Sequence, residues 1–540
     1  MTPTQEHLLK LLLEIDEICR RHDITYFLEA GTLLGAVRHN GFIPWDNDLD
    51  ITMKEADYNR FVEVCQQELD PTKRVMADNR RNREYPSVFG RYIDRETCRI
   101  NNTTLFWDDY IGQSIDVFCM VELPADPEDI YEAEVRYNAY DEVVNRSFRH
   151  LRRKRSYTMD RYNEYLKAYE TDRDAFLAEV EPKIFGHTYE GSQWYMVTSA
   201  NGYNILPRAP FEKVAYVSFE GHMVPIPEDY FDLMVYYYGD TFGLIPDKKQ
   251  IHTEMSHNHI PCKYYSDEFR ACIDMPEFLG KRATWKNNMM QEGAMWTDAY
   301  LDYTSCLGLM LKMDIEDEIA EKNIDVMDLV NNPTPEGDEV LRNLFNLYIE
   351  RQTSSTVVYA KCHLALGEDL EYAALYTALL LKGDRAAFDD MISVRTVNRV
   401  PMTDRIQNLV DYARHYRAAK KFILYREFAK SQEHIDWCVE RHGTNSNFKT
   451  MQLMVDSGLA ETADDWQSVL NSAEEILVES PDNEYAWEAK ADALRFMGER
   501  EQANEIYVRL RDTAVDGFVM NRAIQQVGPS ETPRFSTTKE

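Results

Sequence analysis

Long apolar runs are missing from this chain. The longest, such as Leu8 to Leu13, fall far short of a membrane span and are broken by charge. The opening residues MTPTQEHLLK lack the basic stretch, apolar core and small-residue cleavage site of a secretory leader, so a cytoplasmic location is expected. Cysteine pairing is also missing: the nine cysteines are odd in number, scattered and never in a Cys-x-x-Cys pair. That speaks against a disulfide framework or a zinc ribbon and for small buried thiols. Positive charge is in deficit, with 60 Lys and Arg against 93 Asp and Glu and a net charge of −33. A field of that sign excludes nonspecific binding to nucleic acid or to an anionic membrane through the molecule as a whole. A local basic patch is a separate matter, and one exists: RSFRHLRRKR, residues 146–155, holds six cations. It reads either as a solvated helix face paired with neighbouring acids or as a binder of an anionic substrate or surface.

What is present is a globular composition, 44% apolar, on a chain of 540 residues, too long for one core. The apolar spacing of Leu8, Leu11, Leu12, Ile15 and Ile18 predicts a helix to about Arg21, with Thr2 as N-cap, Pro3 at its first position and Gln5 completing a capping box. A β-prone stretch, Ile24–Ala30, ends at Gly31-Thr32; Leu33–Arg38 follows as a short helix, and His39-Asn40-Gly41 turns the chain. Residues 46–53 then read as a strand and Lys54 to about Leu69 as a covering helix. Mixed strands (87–93, 98–101, 113–121), a charged helical insert at about 127–185, and a hairpin turning at Glu220-Gly221 complete a first domain, 1–266. Residues 267–528 carry helix after helix. The clearest unit is 481–512, where Trp487, Ala491, Leu494, Ala503, Tyr507 and Leu510 are placed as in a 34-residue tetratricopeptide repeat, so an all-α solenoid-like domain is expected, with a polar tail at 529–540.

The chemistry concentrates in LEAGTLLGAVRHNGFIPWDNDLDITM, residues 28–53. If 46–53 is extended, Asp46, Asp48 and Asp50 share one face of a strand, where their repulsion calls for a cation. In QSIDVFCMV, residues 113–121, Asp116 is a lone carboxylate in an apolar strand, facing opposite Ile115 and Val117. Asp-x-Asp plus a third aspartate on a neighbouring strand is a minimal oxygen ligand set for one or two Mg²⁺ ions, which suits displacement at phosphorus. Taken alone, Asp-x-Asp also fits an acidic edge or a calcium loop, though no EF-hand glycine and distal glutamate follow. Trp45 reads as a packing residue or a stacking surface, Glu220 as a turn residue or a catalyst.

Gly31-Thr32, Asp48-Leu49-Asp50-Ile51 and Asp116 resemble the signature of the nucleotidyltransferase fold, and GTLLGAVRHNGFIPWDNDLDI is similar to the hallmark of the LicD family, to which the fukutin-type enzymes are related. DVFCMVELP, FEGHMVPIPEDYFDLMVYYYGD and the loop ending at His252 agree, so the resemblance covers roughly residues 5–255. It implies an α/β mixed-sheet catalytic domain that moves a phosphorylated small alcohol (phosphocholine or an alditol phosphate) from a CDP-linked donor such as CDP-choline to a hydroxyl of a glycan. The acceptor would be lipopolysaccharide, teichoic acid, capsule or a precursor, including one lipid-linked at the inner membrane face. Asp48, Asp50 and Asp116 would hold Mg²⁺, or Mn²⁺ in its place, and Asp46 would be a further ligand or the base. Gly31 and Thr32 would meet donor phosphate, with Arg38 and His39 adding charge. Arg91 and Arg95 read as reaching the diphosphate or as exposed surface arginines, and His252 as closing over the nucleotide. Asn47 stands where many members carry another aspartate and points away by parity. Two other readings remain at this point: a nucleotidylyltransferase that releases pyrophosphate, and a noncatalytic scaffold in which the helical repeats bind a protein partner. No nucleic acid partner is expected.

Overall fold

A computed structural model describes residues 1–85, 87–100, 110, 112–144, 159–199, 202–238, 242–245, 263–265, several positions between 328 and 340, and 404–530. His252 and the basic run 146–155 lie outside the described residues. Two compact units are present, one built on Met1–Leu233 and one that takes in the chain from Met234 and the C-terminal helices.

In the first unit, α1 (Pro3–His22) starts at the predicted capping box: the Gln5 amide donates to Thr2 Oγ1 at 3.2 Å, and Gln5 Oε1 accepts from the Thr2 amide at 2.8 Å. The chain then forms β1 (Phe27–Leu28), α2 (Ala30–His39), β2 (Asp50–Lys54), α3 (Glu55–Glu68), β3 (Arg74–Ala77), β4 (Gly90–Asp94), β5 (Cys98–Ile100) and β6 (Gln113–Glu122). After α4 (Pro127–Val144), α5 (Met159–Thr171) and α6 (Arg173–Val180) come β7 (Trp194–Ser199), β8 (Gly202–Pro207), β9 (Val214–Phe219) and β10 (His222–Pro227). Helix α7 (Tyr230–Tyr238) and strand β11 (Lys263–Tyr265), which pairs with β5, complete the series.

The main sheet runs β1-β2-β6-β4-β3, with β7 and β8 added beside the far end of β6. Strands β2 and β6 are parallel and the other pairs antiparallel, so the sheet is mixed. β6 lies at the centre, and nearly every residue of it is buried. Helices α1 and α3 cover one face: the Tyr92 hydroxyl donates to Glu14 of α1 at 3.1 Å, and Phe61 of α3 packs on the Tyr92 ring.

Two local readings are corrected. The aspartate segment is not one strand: Pro44-Trp45 is a turn, 46–49 is irregular, and only Asp50 of the three aspartates lies in β2. The cause is the Asp46 N–H bond to the Ile43 carbonyl at 2.9 Å, which closes the turn and breaks the two-residue alternation upstream of Asp50. The second helix begins at Ala30, with Glu29 as N-cap, so Gly31 and Thr32 sit in its first turn and not ahead of it. The strand before it shrinks to Phe27–Leu28 because β2 offers it only two partners, Thr52 and Ile51.

The second unit holds α8 (Asp404–Leu424), α9 (Phe428–His442), α10 (Ser446–Leu459), α11 (Ala463–Glu479), α12 (Glu484–Phe496), α13 (Arg500–Thr513) and α14 (Gly517–Val527). Ala491, Leu494, Ala503, Tyr507 and Leu510 are buried as the spacing predicts, and Gly498 turns the chain at φ +92°. Trp487 departs from that pattern. It is half-buried, its indole N–H donates to the Pro481 carbonyl at 2.8 Å, and Arg509 lies over its ring. The segment 242–245 belongs to this unit: Phe242 meets Phe518 edge-on, and the Ile245 amide donates to the Val515 carbonyl at 2.6 Å.

Candidate active site

Three neighbouring strands place three charged side chains in a row. Asp50 on β2 is the register partner of Asp116 on β6, and Asp116 is the register partner of Arg91 on β4. Paired residues project to the same face of a sheet, so the two carboxylates and the guanidinium share one surface. Arg91 Nε donates to Asp116 Oδ1 at 2.7 Å and its Nη2 reaches Oδ2 at 3.5 Å, while the guanidinium rests over Phe89 at 5.1 Å.

Helix α2 enters this edge from above Asp50. The Asp50 amide donates to Thr32 Oγ1 at 2.9 Å, and the Glu29 amide donates to the Asp50 carbonyl at 3.1 Å. Thr32 therefore fixes the backbone of the aspartate that matters most to the geometry. The ladder of α2 starts with the Leu33 amide on the Glu29 carbonyl at 3.1 Å, which leaves the amides ahead of it outside the helix's own bonding. Ala30, at the bend, adopts φ +43°, a left-handed conformation costly for a residue with a Cβ.

The loop between α2 and β2 is held at both ends. Gln5 is buried, and its side-chain N–H groups donate to the Ile43 carbonyl at 3.3 Å and the Asp46 carbonyl at 2.7 Å. Thr2 Oγ1 donates to Asn47 Oδ1 at 3.2 Å, so Asn47 faces the start of α1. At the other end the turn residue Glu220, φ +49°, donates its amide to the Asn40 carbonyl at 2.9 Å and accepts from the Phe42 amide through its carboxylate at 3.0 Å. Two glycines lie close to their neighbours here, and at Gly35 the neighbour is backbone. A Cβ on Gly35 would lie 2.5 Å from the Gly41 carbonyl oxygen, and one on Gly41 would strike the Glu220 carboxylate.

The electrostatics are lopsided. Burial first, then the charges of Asp48, Asp116, Asp46 and Glu29, push the Asp50 carboxyl well above its ordinary range. Every one of those influences acts in the same direction, as expected of carboxylates gathered before a cation neutralises them. All the donors are oxygens, the type a hard divalent cation prefers. Among the described residues, no three His, Cys, Asp or Glu side chains converge closely enough to cage an ion, and Asp116 is engaged by Arg91.

The remaining candidates divide. Arg38 is buried in α2 and its Nε donates to His39 Nε2 at 3.0 Å. Burial, then the Arg38 charge, hold the His39 imidazole well below its usual range, so it is neutral and adds no positive charge to the site. Trp45 meets His39 edge-on at 5.9 Å. Arg95 is directed elsewhere, its Nη1 donating to the Pro71 carbonyl at 2.9 Å.

Residues 23–121 match the family model described as LicD/FKTN/FKRP, nucleotidyltransferase domain. The N-terminal region is thus similar to the LicD family. It is 27% identical over 255 residues to the lipopolysaccharide cholinephosphotransferase LicD of Haemophilus influenzae, an overlap that covers 45% of this chain and 91% of that protein. Shorter likenesses link it to uncharacterized proteins of Rickettsia typhi (43% identity over 60 residues) and Rickettsia prowazekii (48% over 50 residues). Each spans 19% of the relative and, respectively, 11% and 9% of this chain. No solved structure matches the chain.

Within this LicD-like domain, sequence reasoning missed Glu29 and the second role of Gln5. Glu29 is buried, next to Asp50 through the backbone, and one of the charges acting on it. The signal was a lone carboxylate ending the apolar run YFLEAG, the same cue that singled out Asp116. Gln5 was legible as a cap, but its grip on the loop crosses some forty residues and has no local pattern.

Proposed function

We propose that this chain transfers a phosphorylated small alcohol, phosphocholine or an alditol phosphate, from a CDP-linked donor to a hydroxyl of a cell-surface glycan or its precursor. The observation that carries the reading is the registration of Asp50 opposite Asp116 beside the amino end of α2, in a domain similar to the LicD family. A relative named as a lipopolysaccharide cholinephosphotransferase supports the choice of group and acceptor.

In the reaction an acceptor hydroxyl oxygen attacks the outer phosphorus of the donor, the new O–P bond forms as the bond to CMP breaks, and CMP leaves with the electron pair. Asp46 takes the acceptor proton or would be a further ligand of a bound cation. Asp48, Asp50 and Asp116 would hold Mg²⁺ or Mn²⁺, which would draw off charge developing on the transferred group. Donor phosphate binds at the start of α2, where amides outside the helical ladder and the helix dipole favour an anion. Arg38, buried in the last turn of α2, adds a fixed positive charge to this helix. Thr32 keeps Asp50 in place through its backbone, and the Gln5 and Glu220 contacts hold the loop that carries Asp46 and Asp48.

The helical unit is proposed to recognise the acceptor or a protein partner. No helix among the described residues is long and apolar enough to cross a membrane, so a lipid-linked acceptor would be met at the membrane face. Incubation of the purified protein with CDP-choline, CDP-ribitol, CDP-glycerol or CDP-ethanolamine, an acceptor glycan and Mg²⁺ tests the proposal. CMP release with one donor is expected. Pyrophosphate release from CTP would instead identify a nucleotidylyltransferase. A failure of CDP and Mg²⁺ to shift the melting temperature would favour a noncatalytic scaffold.

A further inference from the structure

The Arg91–Asp116 pair bears on how the site is loaded, a role that rests on the phosphotransfer reading. Arg91 is only 14% exposed and Asp116 only 21%, and the guanidinium reaches both carboxylate oxygens while lying over the Phe89 ring. Phe89 is itself fixed edge-on against Phe118 of β6, so the arginine stands on a rigid floor. An arginine stays protonated at any working pH, so it does not leave its partner by titration. Asp116 is also the strand neighbour of Asp50, and its carboxylate is the second of the row. A divalent cation at that carboxylate and a guanidinium on the same two oxygens would repel each other at short range.

We propose that Arg91 and the divalent cation compete for Asp116, and that the donor's diphosphate resolves the competition by accepting the guanidinium that the cation displaces. Arg91 neutralises Asp116 before loading, and on loading it becomes a ligand of the phosphates, a geometry that suits its planar fork. Cation and donor then bind cooperatively, because each removes a cost the other would face alone. Linkage makes the coupling reciprocal: the donor tightens the cation as much as the cation tightens the donor.

The test is titration of the full chain with Mn²⁺ in the presence and absence of CDP, followed by calorimetry or by the Mn²⁺ electron spin signal, for the wild type, Arg91→Gln and Arg91→Lys. In the wild type CDP should tighten Mn²⁺ by about five- to tenfold or more, the range of an ordinary coupling. In Arg91→Gln, Mn²⁺ alone should bind roughly tenfold tighter than in the wild type, and CDP should no longer change its affinity. Arg91→Lys, which keeps the charge without the fork, should fall between the two and guards against a misfolded glutamine variant. Unchanged or weaker Mn²⁺ binding in both variants with the CDP coupling intact would overturn the competition. The underlying reading fails separately: if Mn²⁺ binding survives Asp50→Asn unchanged, or the wild type binds no Mn²⁺, the cation site itself is wrong and the competition falls with it.

Discussion

The two units each gather carboxylates, and they treat them in opposite ways. In the helical unit the acids are matched to donors of their own unit. Arg522 reaches Glu488 through two bonds of 2.6 and 2.7 Å, Tyr507 donates to Asp492 at 2.5 Å, Tyr485 to Asp516 at 2.6 Å, and Glu484 accepts from the Val515 and Asp516 amides. In the N-terminal domain Asp50 is surrounded by Asp48, Asp116, Asp46 and Glu29, all acting to raise its pKa. A buried carboxylate with a built-in donor is part of the scaffold. One set among its own kind is held ready for a charge from outside, at the expense of stability.

Breaking a pair in the helical unit should have the largest effect on stability. Arg522→Ala leaves Glu488 enclosed without its cation and is expected to cost roughly 2–3 kcal/mol in a denaturant melt. Asp50→Asn should do the reverse and raise the melting temperature of the protein in EDTA, because it removes charge from a repelling group. If both variants lose stability alike, the contrast between the units is wrong.

Next in size is Gly35→Ala. Its Cβ would meet backbone atoms, the Gly41 carbonyl oxygen at 2.5 Å and the Ile43 nitrogen at 3.1 Å, which cannot move aside as a side-chain tip can. A loss of roughly 1–3 kcal/mol is expected despite alanine's better helix propensity, with a fall in transfer rate because the loop carrying Asp46 and Asp48 shifts.

The pH dependence sharpens the same contrast. The folded pKa of Asp50 lies well above its ordinary 3.8. The folded protein therefore holds a proton that the unfolded chain has released, and stability falls as pH rises above about 4 toward the folded pKa. Below about 4 both states are protonated and the penalty vanishes. The melting-temperature advantage of Asp50→Asn should thus be present at neutral pH and close as the pH falls to 4. An advantage that is constant over this range would refute the electrostatic account.

The smallest expected effect is that of Glu220→Ala. The carboxylate bonds the Phe42 amide, and its loss should cost about 1 kcal/mol and lower the transfer rate only modestly. A collapse of the rate with an unchanged melting temperature would make Glu220 a catalyst.

Much of this was legible before the fold. Asp50 stands out as the last of three alternating aspartates and Asp116 as a lone carboxylate in an apolar strand, and the helix α1, the hairpin at Glu220-Gly221 and the pair of helices joined at Gly498 all announce themselves locally. The illegible parts depend on contacts distant in sequence. Residues 46–53 alternate as a strand does, yet a turn closed by Asp46 and a side chain from α1 hold its first half, 46–49, irregular. Arg91 read as a surface charge or a phosphate ligand, the former favoured, and only the β4–β6 register shows it on Asp116. His39 looked cationic until its enclosure beside Arg38 was seen.

The central proposal is that Asp50 and its neighbours carry the transfer of a phospho-alcohol. The most direct measurement is CMP release from CDP-choline and the other CDP-linked alcohols, with acceptor and Mg²⁺, by the wild type and by Asp50→Asn. The wild type should release CMP with one donor, and the variant, folded and at least as stable, should lose the activity by roughly 10³-fold or more. Equal CMP release by both proteins would contradict the account.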